Sequence, residues 1–197
     1  MCIALDTMLA NQQTHDARGR FTPVFRQLLT AKALTASQTG APCQLSKKVA
    51  ADINELAVAH QEQLHALPRH DTYSRHIIGT DDDWIGFICR WEKNTTSSIH
   101  GHPSFAYYQV LNGSISMDLF EPINDCEARQ TSTTIMHSGD SIFSNTPEGQ
   151  FDNLVHRVRT GNSPVFTLHL YSDDPAKGRL FKATKPAEQQ LPERARY

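Results

Sequence analysis

"FAYYQVLNGSISMDLFE", residues 105–121, holds two runs rich in aromatic and aliphatic residues joined at Asn112-Gly113. Runs of this composition read as strands, and Asn-Gly tolerates the positive φ that a two-residue turn requires, so the stretch predicts a β-hairpin. Working outward, the same signature recurs upstream in "YSRHIIG" (73–79) and "DWIGFICRWE" (83–92). Downstream it recurs in "TSTTIMH" (131–137), "DSIFSN" (140–145), "NLVHRVR" (153–159) and "VFTLHLYS" (165–172). Strands that arrive this often, with turn residues and no helices between them, favour an antiparallel barrel or sandwich over βαβ units.

The first third of the chain has a different period. "TPVFRQLLTAKAL" (22–34), with Thr22 and Pro23 as cap and first turn, and "SKKVAADINELAVAHQEQLHAL" (46–67) repeat apolar residues at three and four, which predicts two amphipathic helices. Pro68 ends that regime. The expected layout is a helical segment over 1–68 packed on a β-barrel over 69–175, followed by a charged, proline-broken tail over 176–197 that wraps the surface or frays.

A chain of 197 residues with a formal charge of −2 suits one domain and offers no basic field for nucleic acid and no polybasic membrane patch. No apolar run approaches a membrane span. The opening residues carry Asp6 and no cationic leader, so no signal peptide is expected. Cys2, Cys43, Cys89 and Cys126 show no CxxC spacing, which argues against a disulfide framework or a thiolate zinc site and for a reduced, cytoplasmic protein; a monomer is expected.

"SSIHGHPSF" (97–105) places His100 and His102 two apart. On an extended strand both imidazoles leave the same face, as metal ligands must, although such a pair is more often two exposed or hydrogen-bonded side chains. A metal needs at least one more donor. Outside the helical segment and its exit, His76, His137, His156 and His169 remain available.

The choice among them comes from a resemblance. "HGH" followed by Gly113 resembles the first motif of the cupin barrels, and the segment from Gly139 through Pro147 and Gly149 to His156 resembles the second. Together these imply a single mainly β cupin (jelly-roll) domain with His100, His102 and His156 around one metal. The glutamate common in the first motif is missing, because Ala106 and Tyr107 stand at its positions. "SSIHGH", Trp91 nine residues before His100, "HRV" (156–158), "LHLYS" (168–172) and "YSRHII" (73–78) together resemble the thiol dioxygenase branch, most closely the cysteine dioxygenases of bacterial type, over residues 70 to 175.

What the resemblance implies is specific. The cofactor is Fe(II), and the reaction converts L-cysteine and O2 to cysteine sulfinate. Arg75 matches the clamp for the substrate carboxylate, with Tyr73 beside it, and Tyr171 matches the active-site tyrosine held by His169. Thr167 stands where a serine is usual; with His169 and Tyr171 at period two, the three share one strand face. Ala106 stands near a position where animal members carry a cysteine that crosslinks to the tyrosine, so no crosslink is expected. The alternatives are a dioxygenase of another small thiol such as 3-mercaptopropionate, against which Arg75 argues, a cupin enzyme of another class, and a non-enzymatic cupin that senses a small ligand.

Overall fold

A computed structural model describes residues 14–35, 44–82 and 84–184. Eleven strands are arranged in two sheets among these residues. The larger sheet runs β1 (Thr14–Asp16), β2 (Tyr73–Asp81), β3 (Trp84–Trp91), β10 (Val165–Tyr171), β5 (Phe105–Asn112) and β8 (Ser141–Asn145). The smaller runs β11 (Leu180–Ala183), β4 (Ile99–His102), β9 (Asn153–Thr160), β6 (Ser114–Pro122) and β7 (Glu127–His137), and it closes where β11 meets β7. Apart from the parallel pairs β1–β2 and β11–β7, the neighbours are antiparallel. This is the expected mainly β barrel with helices at its N-terminal end.

The sheets differ in what covers them. Helix α1 (Arg18–Thr35) packs on β2, and helix α2 (Gln44–Ala59) packs on α1 and β5; the short α3 (Gln61–His65) follows. These helices cover the outer face of the large sheet. As a result β10 is buried at every position, with Phe166, Leu168 and Leu170 facing Phe21, Val24, Ile53 and Leu64, and Val165, Thr167, His169 and Tyr171 facing inward. Burying each such apolar side chain contributes about 1.5–3 kcal/mol. On the smaller sheet β7 has a mostly exposed outer face, which accounts for its Ser and Thr content.

Two glycines set where α1 docks. Gly79 and Gly86 are partners across β2 and β3, and a Cβ on either would run into the Phe25 ring. The pair forms a slot in the sheet that the ring fills. Arg90, almost fully buried, ties the end of α3 to the same face: Nη1 donates to the carbonyls of His65 and Leu67 at 2.8 and 3.0 Å, and Nε to Glu92 at 2.8 Å.

Four sequence expectations need correction. Asn112-Gly113 is a turn, with Gly113 at φ +86°, yet β5 and β6 do not pair; the turn carries the chain from the large sheet to the small one. Local turn chemistry is the same in both cases, and only long-range pairing separates them. The second helix breaks at His60, where φ is −108° and ψ 21°. The segment beyond residue 175 does not simply wrap or fray, because Leu180–Ala183 forms β11 and pairs with His100 and Ile99. Residues 185–197 lie outside the described part.

Finally, Cys126 is disulfide-bonded, whereas Cys89 is free and buried. Spacing along the chain does not report which thiols meet in space, so the argument from scattered cysteines to a reducing compartment falls. No helix among the described residues is long and apolar enough to cross a membrane.

Candidate metal centre

His100 and His102 project from one face of β4, as period two requires, and β9 brings His156 opposite His100. The ring centroids form a nearly equilateral triangle of 4.7–4.9 Å. The three ligand atoms lie within 4.8 Å of one another, and this is the one such His/Cys/Asp/Glu cluster found among the described residues. His100 pairs with His156 but His102 with Asn153, so β9 carries an extra residue there. Within that bulge Leu154 sits at φ +46°, a strained conformation for a bulky side chain, and the bulge re-aims His156 toward the β4 pair. Asn153 fixes the other side, donating through Nδ2 to the carbonyls of Pro103, Ser104 and Ser144.

The protonation state suits a cation. Burial pushes His100 down to about 4, partly opposed by its bond to Ser98, and holds His102 and His156 well below the usual histidine range, with the neighbouring imidazoles adding to the effect. All three are therefore neutral at pH 7 and offer lone pairs. The Ser98 carbonyl accepts from His100 Nδ1 at 3.0 Å, which leaves His100 Nε2 bare for coordination. The Nε2 atoms of His102 and His156 converge to 3.2 Å.

The large sheet supplies the facing wall. Register explains its layout: Tyr73 lies across from Trp91, Arg75 from Cys89 and then Thr167, Phe87 from His169 and then Tyr108, and Ala106 from Tyr171. These rungs place Tyr73, Arg75, Phe87, Cys89, Trp91, His169 and Tyr171 around one small cavity with the three histidines, closed at one side by Pro175. It leaves about 20 Å³ for the centres of water-sized molecules, room for a small ligand only.

The Arg75 guanidinium lies 5.9 Å from the Tyr73 ring and 5.5 Å from Phe87, has no carboxylate partner among the described residues, and keeps a buried Nε without a hydrogen bond. Tyr171 stacks on His102 at 4.8 Å. The expected row exists: Thr167 Oγ1 contacts His169 Nε2 at 2.8 Å, and His169 Nδ1 contacts the Tyr171 hydroxyl at 2.9 Å. Burial holds His169 neutral and pushes Tyr171 up, so both keep their resting protonation states.

The sequence reading did not assign Phe87, Cys89 and Tyr108 to the site, and used Trp91 only as a motif landmark. Phe87, Cys89 and Trp91 alternate along β3, so period two would have grouped them had the β3–β10 pairing been known. Burial pushes the Cys89 thiol up to about 12 despite Arg75, so it stays protonated. Ala106, opposite Tyr171, has no sulfur to offer.

No family model and no curated protein matches the chain. Solved structures do align with part of it. A cupin superfamily protein from Desulfitobacterium hafniense is 10% identical over 55% of this chain and 84% of its own, with a TM-score of 0.41. An uncharacterised conserved protein with a double-stranded β-helix domain from Klebsiella pneumoniae is 14% identical over 59% and 90%, at 0.43. The polyketide cyclase RemF from Streptomyces resistomycificus is 17% identical over 56% and 71%, at 0.41.

Proposed function

We propose that the protein is an iron-dependent thiol dioxygenase whose substrate is L-cysteine. The observation that carries this reading is the Arg75 guanidinium, without a carboxylate partner among the described residues, in the same cavity as three neutral imidazoles and a tyrosine held by a hydrogen-bonded row. The donor set fits a divalent transition metal: three bare nitrogens converge, and no carboxylate among the described residues joins them. His100, His102 and His156 would hold Fe(II), which supplies open positions and redox chemistry toward dioxygen when bound.

The chain's own residues do the rest. Arg75 offers a planar fork to the substrate carboxylate and so fixes where the sulfur lies relative to the histidines. Tyr73, Phe87 and Trp91 line the cavity with rings that exclude bulk water. Tyr171, against His102, hydrogen-bonds the reacting group. The net change is R–SH + O2 → R–SO2H, with both oxygen atoms ending on sulfur.

The test is oxygen uptake and sulfinate formation by the iron-loaded protein with L-cysteine, 3-mercaptopropionate and cysteamine. One sulfinate per oxygen consumed, with L-cysteine preferred, is expected. Replacing any one of His100, His102 or His156 by Ala should remove most bound iron and all turnover, because three is the minimum set. Iron retained without oxygen uptake on any thiol would leave a metal-binding module that is not this enzyme; preference for 3-mercaptopropionate, which shares the carboxylate but lacks the amine, would overturn L-cysteine as the substrate, and preference for cysteamine would move Arg75 out of its role.

A further inference from the structure

The row that holds Tyr171 has a fourth member. Trp91 Nε1 donates to Thr167 Oγ1 at 2.8 Å, ahead of the Thr167–His169 and His169–Tyr171 contacts. All four side chains are buried. An indole N–H donates and never accepts, whereas hydroxyl and imidazole run either way. We infer that Trp91 is a positioning residue: its N–H sets the direction of every hydrogen bond in the row, so that Tyr171 keeps its own proton free to donate into the cavity beside His102.

Thr167 Oγ1 gives a lone pair to the indole, and the other partner within hydrogen-bond distance is His169, so the hydroxyl proton goes to His169 Nε2. The Tyr108 hydroxyl also lies near Thr167 and is the competing acceptor for its proton, but the two do not meet in hydrogen-bond geometry, whereas His169 Nε2 lies at 2.8 Å. A neutral imidazole that accepts at Nε2 carries its proton on Nδ1, and Nδ1–H donates to the Tyr171 oxygen. The phenol proton is then unspent. In the opposite polarity His169 Nε2–H would donate to Thr167, Tyr171 would spend its proton on Nδ1, and the phenol would have no proton left to donate into the cavity beside His102. The polarity belongs to the fold and needs no substrate; its use on a thiol adduct rests on the dioxygenase reading.

Nitrogen-15 spectra of the histidines in the full-length chain, loaded with diamagnetic zinc and again without metal, test the inference independently of turnover. The wild type should show His169 as the Nδ1–H tautomer. Trp91→Phe, and Trp91 replaced by the benzothiophene isostere that keeps the bicycle and loses only the N–H, should shift His169 toward the Nε2–H form. Tyr108→Phe should change nothing. An Nε2–H tautomer in the wild type overturns the inference by itself, even if neither Trp91 variant folds. So does an unchanged tautomer in the isostere, or a switch in Tyr108→Phe, which would make Tyr108 rather than Trp91 the partner that sets the row.

Discussion

Arg75 sits among the rings of Tyr73 and Phe87 with its Nε buried and unbonded, a costly arrangement unless a ligand completes it. Losing a charge-assisted contact to a carboxylate there commonly costs about 2–5 kcal/mol. Arg75→Ala should therefore lower kcat/KM for L-cysteine by a factor on the order of 10² or more. Iron content should hold, and cysteamine, which has no carboxylate, should barely respond. Equal losses on both thiols would assign Arg75 to the fold. His76, one residue on, faces the helices instead, with His15 stacked on it at 5.1 Å, Arg90 nearby, the Ser74 hydroxyl at 2.9 Å and the Pro68 carbonyl alongside. Burial first, then His15 and Arg90, push it down to about 4, against a weaker upward pull from Pro68. Above pH 6.5 it is neutral in both states. Between about 6.5 and 4 the unfolded chain takes a proton that the native state refuses, so acidification costs about 1.4 kcal/mol per pH unit, up to about 3 kcal/mol, and levels off below 4. Urea melts from pH 7 to 4.5 should show a shallower acid loss in His76→Gln than in the wild type; parallel curves would show that His76 titrates normally.

Strand β4 is only four residues long, yet it carries two ligands, and Gly101 between them has no room for a side chain. A Cβ there would lie 2.5 Å from the Asp152 Cα and 2.7 Å from the Phe151 carbonyl oxygen. Gly101→Ala must push β4 away from the segment that leads into β9, so it should cost about 1–3 kcal/mol of stability and weaken metal binding at least tenfold. Gly161→Ala, which meets nothing within 4 Å, is the control. Equal metal affinity in the two variants would show that the ligand geometry tolerates the shift. Elements of this kind were legible from the chain wherever local chemistry decides. The eight longer strands follow from their composition, and the Thr167, His169, Tyr171 face follows from period two. β1 and β11, three and four residues long, carry too little pattern to be seen. The turn at Asn112-Gly113 was read correctly as a turn and wrongly as a hairpin. The bulge at Leu154 has no sequence signal, since nothing in "NLVH" announces a positive φ.

Across the whole molecule, the buried Arg90 holds the helices to the large sheet from the face opposite the cavity. Arg90→Leu frees two carbonyls and leaves Glu92, 18% exposed, without its partner. A loss of about 2–4 kcal/mol in urea is expected with metal affinity unchanged; metal lost in proportion to stability would mean that the helical cover shapes the centre. The same separation runs through the site. The three histidines ride on the small sheet, and Arg75, Trp91, His169 and Tyr171 ride on the large one. The cavity is therefore a seam between two plates, stitched at one edge by Asn153 of β9 and Ser144 of β8, one carrying the candidate metal ligands and the other the wall that would face a guest. Substitutions along β2, β3 and β10 can re-tailor the guest while the grip on β4 and β9 stays as it is, which makes this protein a ready scaffold on which to swap substrate preference without relearning how to bind a metal.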